Sequence, residues 1–104
     1  MRFFRVQRKG YSFEDMCNHV SADGGDGYDE GLAVSGRPDG LDGGSRFGGA
    51  WDAMDPDDEV IVLEGRILCE IYDGYRIEPT KEVARFTVAQ WEKMLDDGRA
   101  WDWE

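Results

Sequence analysis

The fold is decided by residues 59–73, EVIVLEGRILCEIYD, which form the most apolar stretch of the chain. Its first part, Glu59 to Glu64, is an apolar run with the length of a buried strand. Its second part, Arg66 to Asp73, alternates apolar and polar side chains, as a half-buried strand does. Gly65-Arg66 is expected to reverse the chain between the two parts. Asp73-Gly74 is a strong hairpin signal, so consecutive antiparallel strands are expected here.

Further strands are expected on both sides of this stretch. Proline cannot donate a hydrogen bond to a strand ladder, so Pro79 is expected to end the strand before it. Near the start of the chain, Phe4 and Val6 are expected on one face of a strand, with Phe3, Arg5 and Gln7 on the other. These expected strands are residues 2–8, 75–78 and 82–86, with strand character also at 31–35.

Two short helices are expected, each beginning with a capping box. Ser12 with Asp15, and Thr87 with Gln90, have the spacing in which the two side chains and backbone N–H groups satisfy each other. The helices are expected over residues 13–20 and 88–97. Residues 1–104 are therefore predicted to form a single α+β domain, with a small, mostly antiparallel sheet of four to five strands and two short helices.

Residues 21–49 have a different composition from the rest of the domain. Ten of the fourteen glycines lie in this segment, interleaved with aspartate and glutamate. Glycine weakens both helix and strand, so a glycine-rich acidic loop is expected at about 21–49. Long loops in compact domains are commonly functional, which makes this segment a candidate contact region.

The charge of the chain is strongly negative and unevenly placed. The formal net charge is −11, and residues 11–64 hold fourteen acidic and two basic side chains. The first ten residues instead hold four basic side chains and no acidic one. Such a field repels nucleic acid and membrane surfaces and attracts basic protein surfaces. We therefore expect a basic partner protein and no direct contact with nucleic acid or membrane.

Metal and cofactor sites are not indicated by the motifs. His19 is the one histidine, and Cys17 and Cys69 lie too far apart in sequence for a zinc pair. The acidic residues at 23–30 do not have the spacing of a calcium loop. We expect free thiols, no metal, no cofactor and no enzymatic activity.

No apolar run has the length of a signal peptide or a membrane span, so a cytoplasmic protein is expected. A monomer is also expected.

An alternative function follows from three short motifs in chain order. They are Phe4-Arg5-Val6 on the first strand, Ser35 at the end of a second, and Asp57-x-Glu59 entering the apolar strand. This order resembles the Arg–Ser–Glu layout of ADP-ribosyltransferases. The resemblance implies that Arg5 and Ser35 hold NAD and that Glu59 assists transfer to an acceptor. Without that function, Arg5 is expected to be an exposed strand residue.

The preferred function follows from size, charge and loop character together. The segments concerned are Gly27-Tyr28-Asp29-Glu30-Gly31, residues 52–59 and the Tyr72-Asp73-Gly74-Tyr75 hairpin. In this character the chain is similar to anti-CRISPR proteins of phages that inhibit type I systems. The similarity implies a nucleic acid mimic that blocks the DNA-binding surface of a Cascade-type effector in the host cytoplasm. The implied contact residues are Asp26, Asp29, Glu30, Asp52, Asp55, Asp57, Asp58 and Glu59.

Overall fold

The α+β fold expected from the sequence is confirmed by a computed structural model, which describes residues 1–18, 31–41, 56–71 and 74–104. These residues form one antiparallel sheet with strand order β1-β3-β4-β2, together with two α-helices and a 3-10 helix. The elements are β1 (Phe3–Gln7), α1 (Phe13–Asn18), β2 (Leu32–Val34), β3 (Glu59–Ile71), β4 (Gly74–Thr87), α2 (Val88–Asp96) and the 3-10 helix (Arg99–Trp103). Of the acidic loop expected at about 21–49, residues 31–41 are described and the others lie outside the described residues.

The long β3–β4 hairpin replaces four shorter strands that the sequence predicted. The expected reversal at Gly65-Arg66 and the expected strand end at Pro79 are both wrong, because Gly65 and Pro79 lie opposite each other within continuous strands. The ladder shifts its register next to Gly65, which accommodates a residue without an N–H group. A Cβ atom on Gly65 would lie 2.5 Å from the Glu78 carbonyl oxygen, so the close approach of the strands requires glycine here.

The two outer strands of the sheet approach each other. β1 pairs with the start of β3, and β2 pairs with residues 75–77 of β4. An antiparallel bridge then joins Phe4 to Ser35, with both N···O distances at 2.9 Å. The sheet therefore curls until its edges meet, and every residue of β1 is buried.

A separate apolar cluster covers each face of this curled sheet. Successive side chains of β1 point to opposite faces, so Phe4 lies in one cluster and Phe3 in the other, as the sequence predicted. α2 and the 3-10 helix cover the first cluster, and α1 covers the second with Met16. The buried members are Phe4, Val6, Leu41, Val60, Val62, Val88, Trp91 and Ala100 in the first, and Phe3, Met16, Leu32, Val34, Ile61, Leu63 and Ile77 in the second.

Both predicted capping boxes are present. The Ser12 and Asp15 side chains each accept from the other's backbone N–H group, at 3.0 and 3.2 Å. Thr87 and Gln90 do the same at the start of α2, at 3.1 and 2.9 Å. After α2, Gly98 adopts a left-handed conformation with φ of 79°, which ends the helix where the predicted range 88–97 ends. No helix in the described part of the chain is long and apolar enough to cross a membrane.

We expect the Thr87→Ala variant to lose about 1 kcal/mol of stability, because it removes the side chain that caps α2. Thr87→Ser keeps the hydroxyl oxygen and should lose less than half of that. Urea unfolding followed by tryptophan fluorescence measures both. Equal stability of the alanine and serine variants would show that the cap contributes nothing.

Candidate acidic contact surface

The turn before β3 carries the one predicted contact residue that the structure describes as exposed. The carbonyl oxygens of Pro56 and Asp58 accept hydrogen bonds from Ala89 and Val88, at 3.2 and 2.7 Å. These two N–H groups belong to the first turn of α2, where no intrahelical acceptor exists. Two hydrogen bonds therefore hold the turn against the N-terminal end of α2. The Asp57 side chain of this turn is exposed to solvent.

The next two predicted contact residues face the protein instead. Asp58 is only 7% exposed. Glu59 is half-buried, and its Oε1 atom accepts from the Gly10 N–H group at 3.1 Å and from Arg85 at 2.9 Å. Asp58 thus faces the interior, whereas Glu59 is covered because its carboxylate is held by Gly10 and Arg85. Of these three residues, Asp57 alone is exposed and accessible to a partner.

Arg85 organises a cluster of charges that the sequence did not indicate. Its guanidinium donates to Glu82 at 2.6 Å, to Glu59 at 2.9 Å and to the Tyr11 carbonyl oxygen at 2.6 Å. Glu59 and Arg85 thereby hold Gly10 and Tyr11, in the middle of the connection between β1 and α1. The hydrogen bond to Glu82 raises the pKa of Arg85, and the Glu59 bond adds to this against the opposing effect of burial.

The remaining predicted contact residues lie outside the described part of the chain. They are Asp26, Asp29, Glu30, Asp52 and Asp55. The first three precede β2, and the last two precede the turn that holds Asp57. Their proposed role therefore still rests on the sequence.

Exposed carboxylates outnumber exposed free cations in the described residues. Arg2, Arg37, Arg66, Arg85 and Arg99 each lie within 4.0 Å of a carboxylate oxygen. Among the described residues, the exposed side chains with no ion pair are four basic ones, Arg8, Lys9, Lys81 and Lys93, and eight acidic ones. The acidic ones are Glu14, Asp15, Asp57, Glu70, Glu92, Asp96, Asp102 and Glu104. The surface of the described residues therefore also carries an excess of exposed negative charge.

The three residues of the alternative function are engaged within the protein. Arg5 is 6% exposed, contrary to the exposed strand residue expected in the absence of that function, and its Nη1 donates to the Ala33 carbonyl oxygen at 2.6 Å. Ser35 is 1% exposed, and its hydroxyl donates to the Arg37 carbonyl oxygen at 2.9 Å. Because Glu59 is bonded to Arg85, a dinucleotide would have to displace protein partners at all three positions.

The cysteines and the possible metal ligands show no shared site in the described ranges. Cys17 and Cys69 are free thiols, as predicted. Partial burial and the neighbouring Glu14 charge raise the pKa of the Cys17 thiol, which lowers its thiolate fraction at neutral pH. No group of three or more histidine, cysteine, aspartate or glutamate side chains is placed to hold a metal ion among these residues.

No protein family model, curated protein or solved structure matches this chain.

Proposed function

We propose that the protein is an acidic inhibitor that mimics nucleic acid and binds a basic, nucleic-acid-binding protein surface. The observation that carries this proposal is the net charge of −11, with fourteen acidic and two basic residues in 11–64. Small domains usually hold a net charge of about 2–8 for solubility, so this charge exceeds that need. The DNA-binding surface of a Cascade-type effector is the partner to test first.

The structure supports this proposal through the way it holds Asp57. An exposed carboxylate on a rigid turn costs little conformational entropy when it is bound, which favours affinity. DNA carries about one negative charge per 1.7 Å of its axis, and the proteins that bind it present lysine and arginine side chains to match. Asp57 and the acidic residues that precede it in sequence can meet such side chains.

The experiment compares two charge reversals at exposed acidic residues. Asp57→Lys lies on the proposed contact surface, and Glu70→Lys lies on the distal part of β3. Both change the net charge equally. We expect Asp57→Lys to weaken displacement of DNA from a purified Cascade-type effector by about tenfold, corresponding to about 1.4 kcal/mol, and Glu70→Lys to weaken it by less than about threefold.

Asp58 is left unchanged in this design, because a lysine at a buried position would disturb the fold. Equal effects of the two reversals would indicate attraction to net charge without a defined contact surface. An absence of DNA displacement by the wild-type protein would contradict inhibition of this effector. A salt-gradient affinity capture from a bacterial host then tests whether another basic nucleic-acid-binding protein is bound.

A further inference from the structure

Trp101 is the exposed tryptophan of the described residues. It is 39% exposed, whereas Trp91 is 2% exposed and Trp103 packs against the first apolar cluster. Tryptophan is enriched among the residues that dominate binding energy at protein interfaces. Its exposure on a small domain therefore marks a candidate contact point that is separate from the acidic turn at Asp57.

The guanidinium group of Arg37, in the same chain, already lies over the Trp101 ring. The Arg37 Cζ atom lies 5.7 Å from the ring centroid, and Asp39 accepts two bonds from the same guanidinium at 3.1 and 3.3 Å. The turn that carries Arg37 is fixed by the Ser35 hydroxyl, which accepts from the Arg37 N–H group at 3.1 Å. This arrangement shows how an indole ring and a carboxylate bind one arginine together.

The charges around Trp101 favour a basic occupant. Residues 96–104 contain four acidic side chains and one arginine, and that arginine is bonded to Asp97 at 3.0 Å. Asp102, in the 3-10 helix, and Glu104, which caps its end with an N–H bond to the Trp101 carbonyl oxygen, are both exposed. Residues three apart lie on the same side of a 3-10 helix, which brings Glu104 to the side of Trp101.

We propose that Trp101, with Asp102 and Glu104, is a second contact surface that binds arginine side chains of the basic partner. This inference rests on the proposed function, since it assigns a further surface to the same partner. A guanidinium group stacks on an indole ring more favourably than an ammonium group does, so the surface selects arginine over lysine.

The test uses nona-arginine and nona-lysine peptides as probes, with binding measured by calorimetry at low salt. We expect the wild-type protein to bind nona-arginine about threefold or more tightly than nona-lysine. Trp101→Ala should remove this preference and Trp101→Phe should retain part of it. Arg37→Ala should increase the preference, because it frees a face of the ring.

The outcomes separate this inference from the proposed function. Circular dichroism checks that each variant keeps its fold. An arginine preference that persists in Trp101→Ala, or that is absent from the wild-type protein while both peptides bind, overturns the inference alone. If neither peptide binds the wild-type protein, both this inference and the proposed attraction to basic surfaces are overturned.

Discussion

The Trp91→Ala variant is expected to lose about 3–5 kcal/mol of stability, the cost of removing a buried tryptophan from a packed core. Trp91 lies between two aromatic rings, with centroid distances of 5.6 Å to Phe4 and 5.5 Å to Phe86. Its Nε1 atom also donates to the Pro38 carbonyl oxygen at 2.9 Å. The substitution would thus open a cavity between the sheet and α2 and release the turn at residues 35–41.

Thermal unfolding followed by circular dichroism measures this loss. At about 4 °C or more per kcal/mol for a domain of this size, the midpoint should fall by roughly 12 °C or more. Trp101→Ala is the matched control, because the same side chain is removed from an exposed position. We expect it to cost less than about 1 kcal/mol. Similar losses for the two variants would contradict the placement of Trp91 in the core.

The Arg85→Met variant is expected to lose about 2–4 kcal/mol, because it leaves two carboxylates without their cation. The Arg85, Glu59 and Glu82 side chains are 22%, 19% and 29% exposed, so the cost lies somewhat below that of breaking a fully buried ion pair. The variant also loses the bond to the Tyr11 carbonyl oxygen. We expect hydrogen exchange to increase first in α1, which these contacts attach to the sheet.

Arg66→Met is the control for this prediction. Arg66 forms a 3.0 Å ion pair with Glu78, but the two side chains are 67% and 55% exposed. Pairs of this kind contribute about 0–1 kcal/mol, so this variant should remain close to the wild-type protein in urea unfolding. Equal losses from Arg66→Met and Arg85→Met would show that the Arg85 cluster has no special role.

The pH dependence of the Arg85 contribution follows from the direction of its pKa shift. A cation whose pKa is raised on folding stabilises the protein fully below its unfolded pKa, and the contribution is lost only as the pH rises through the folded pKa. For Arg85 both values lie in the strongly alkaline range. The difference between wild-type protein and Arg85→Met should therefore stay constant between about pH 6 and 9.

The local elements could be predicted from the sequence because their signals lie within a few residues. The capping boxes at Ser12 and Thr87, and the alternation of Phe4 with Phe3, each depend on neighbours in the chain. The hairpin signal at Asp73-Gly74 was correct, because β3 and β4 pair on either side of it. The breaks expected within its strands were wrong, since glycine and proline usually interrupt strands. Here Gly65 and Pro79 lie opposite each other, so each accommodates the other within the ladder.

The candidate site was less accessible to sequence reasoning, because burial depends on partners that are distant in the chain. Arg85 lies 26 residues from Glu59 and 74 from Tyr11, and no local pattern joins them. The run Asp57-Asp58-Glu59 has the composition of an exposed acidic turn, although only Asp57 is exposed. The turn at residues 35–41 was expected to be loop, and its contact with Trp91 required the fold.

The most direct test of the proposed function is the salt dependence of DNA displacement from a Cascade-type effector. The concentration of protein that displaces half of the bound DNA is measured between about 0.1 and 0.5 M NaCl, where screening shortens the range of charge interactions. A control without the protein corrects for the effector's own loss of DNA at high salt. We predict that this concentration rises at least about tenfold over the range, as expected for binding through carboxylates. A concentration that stays constant within about twofold would contradict a contact made by charge.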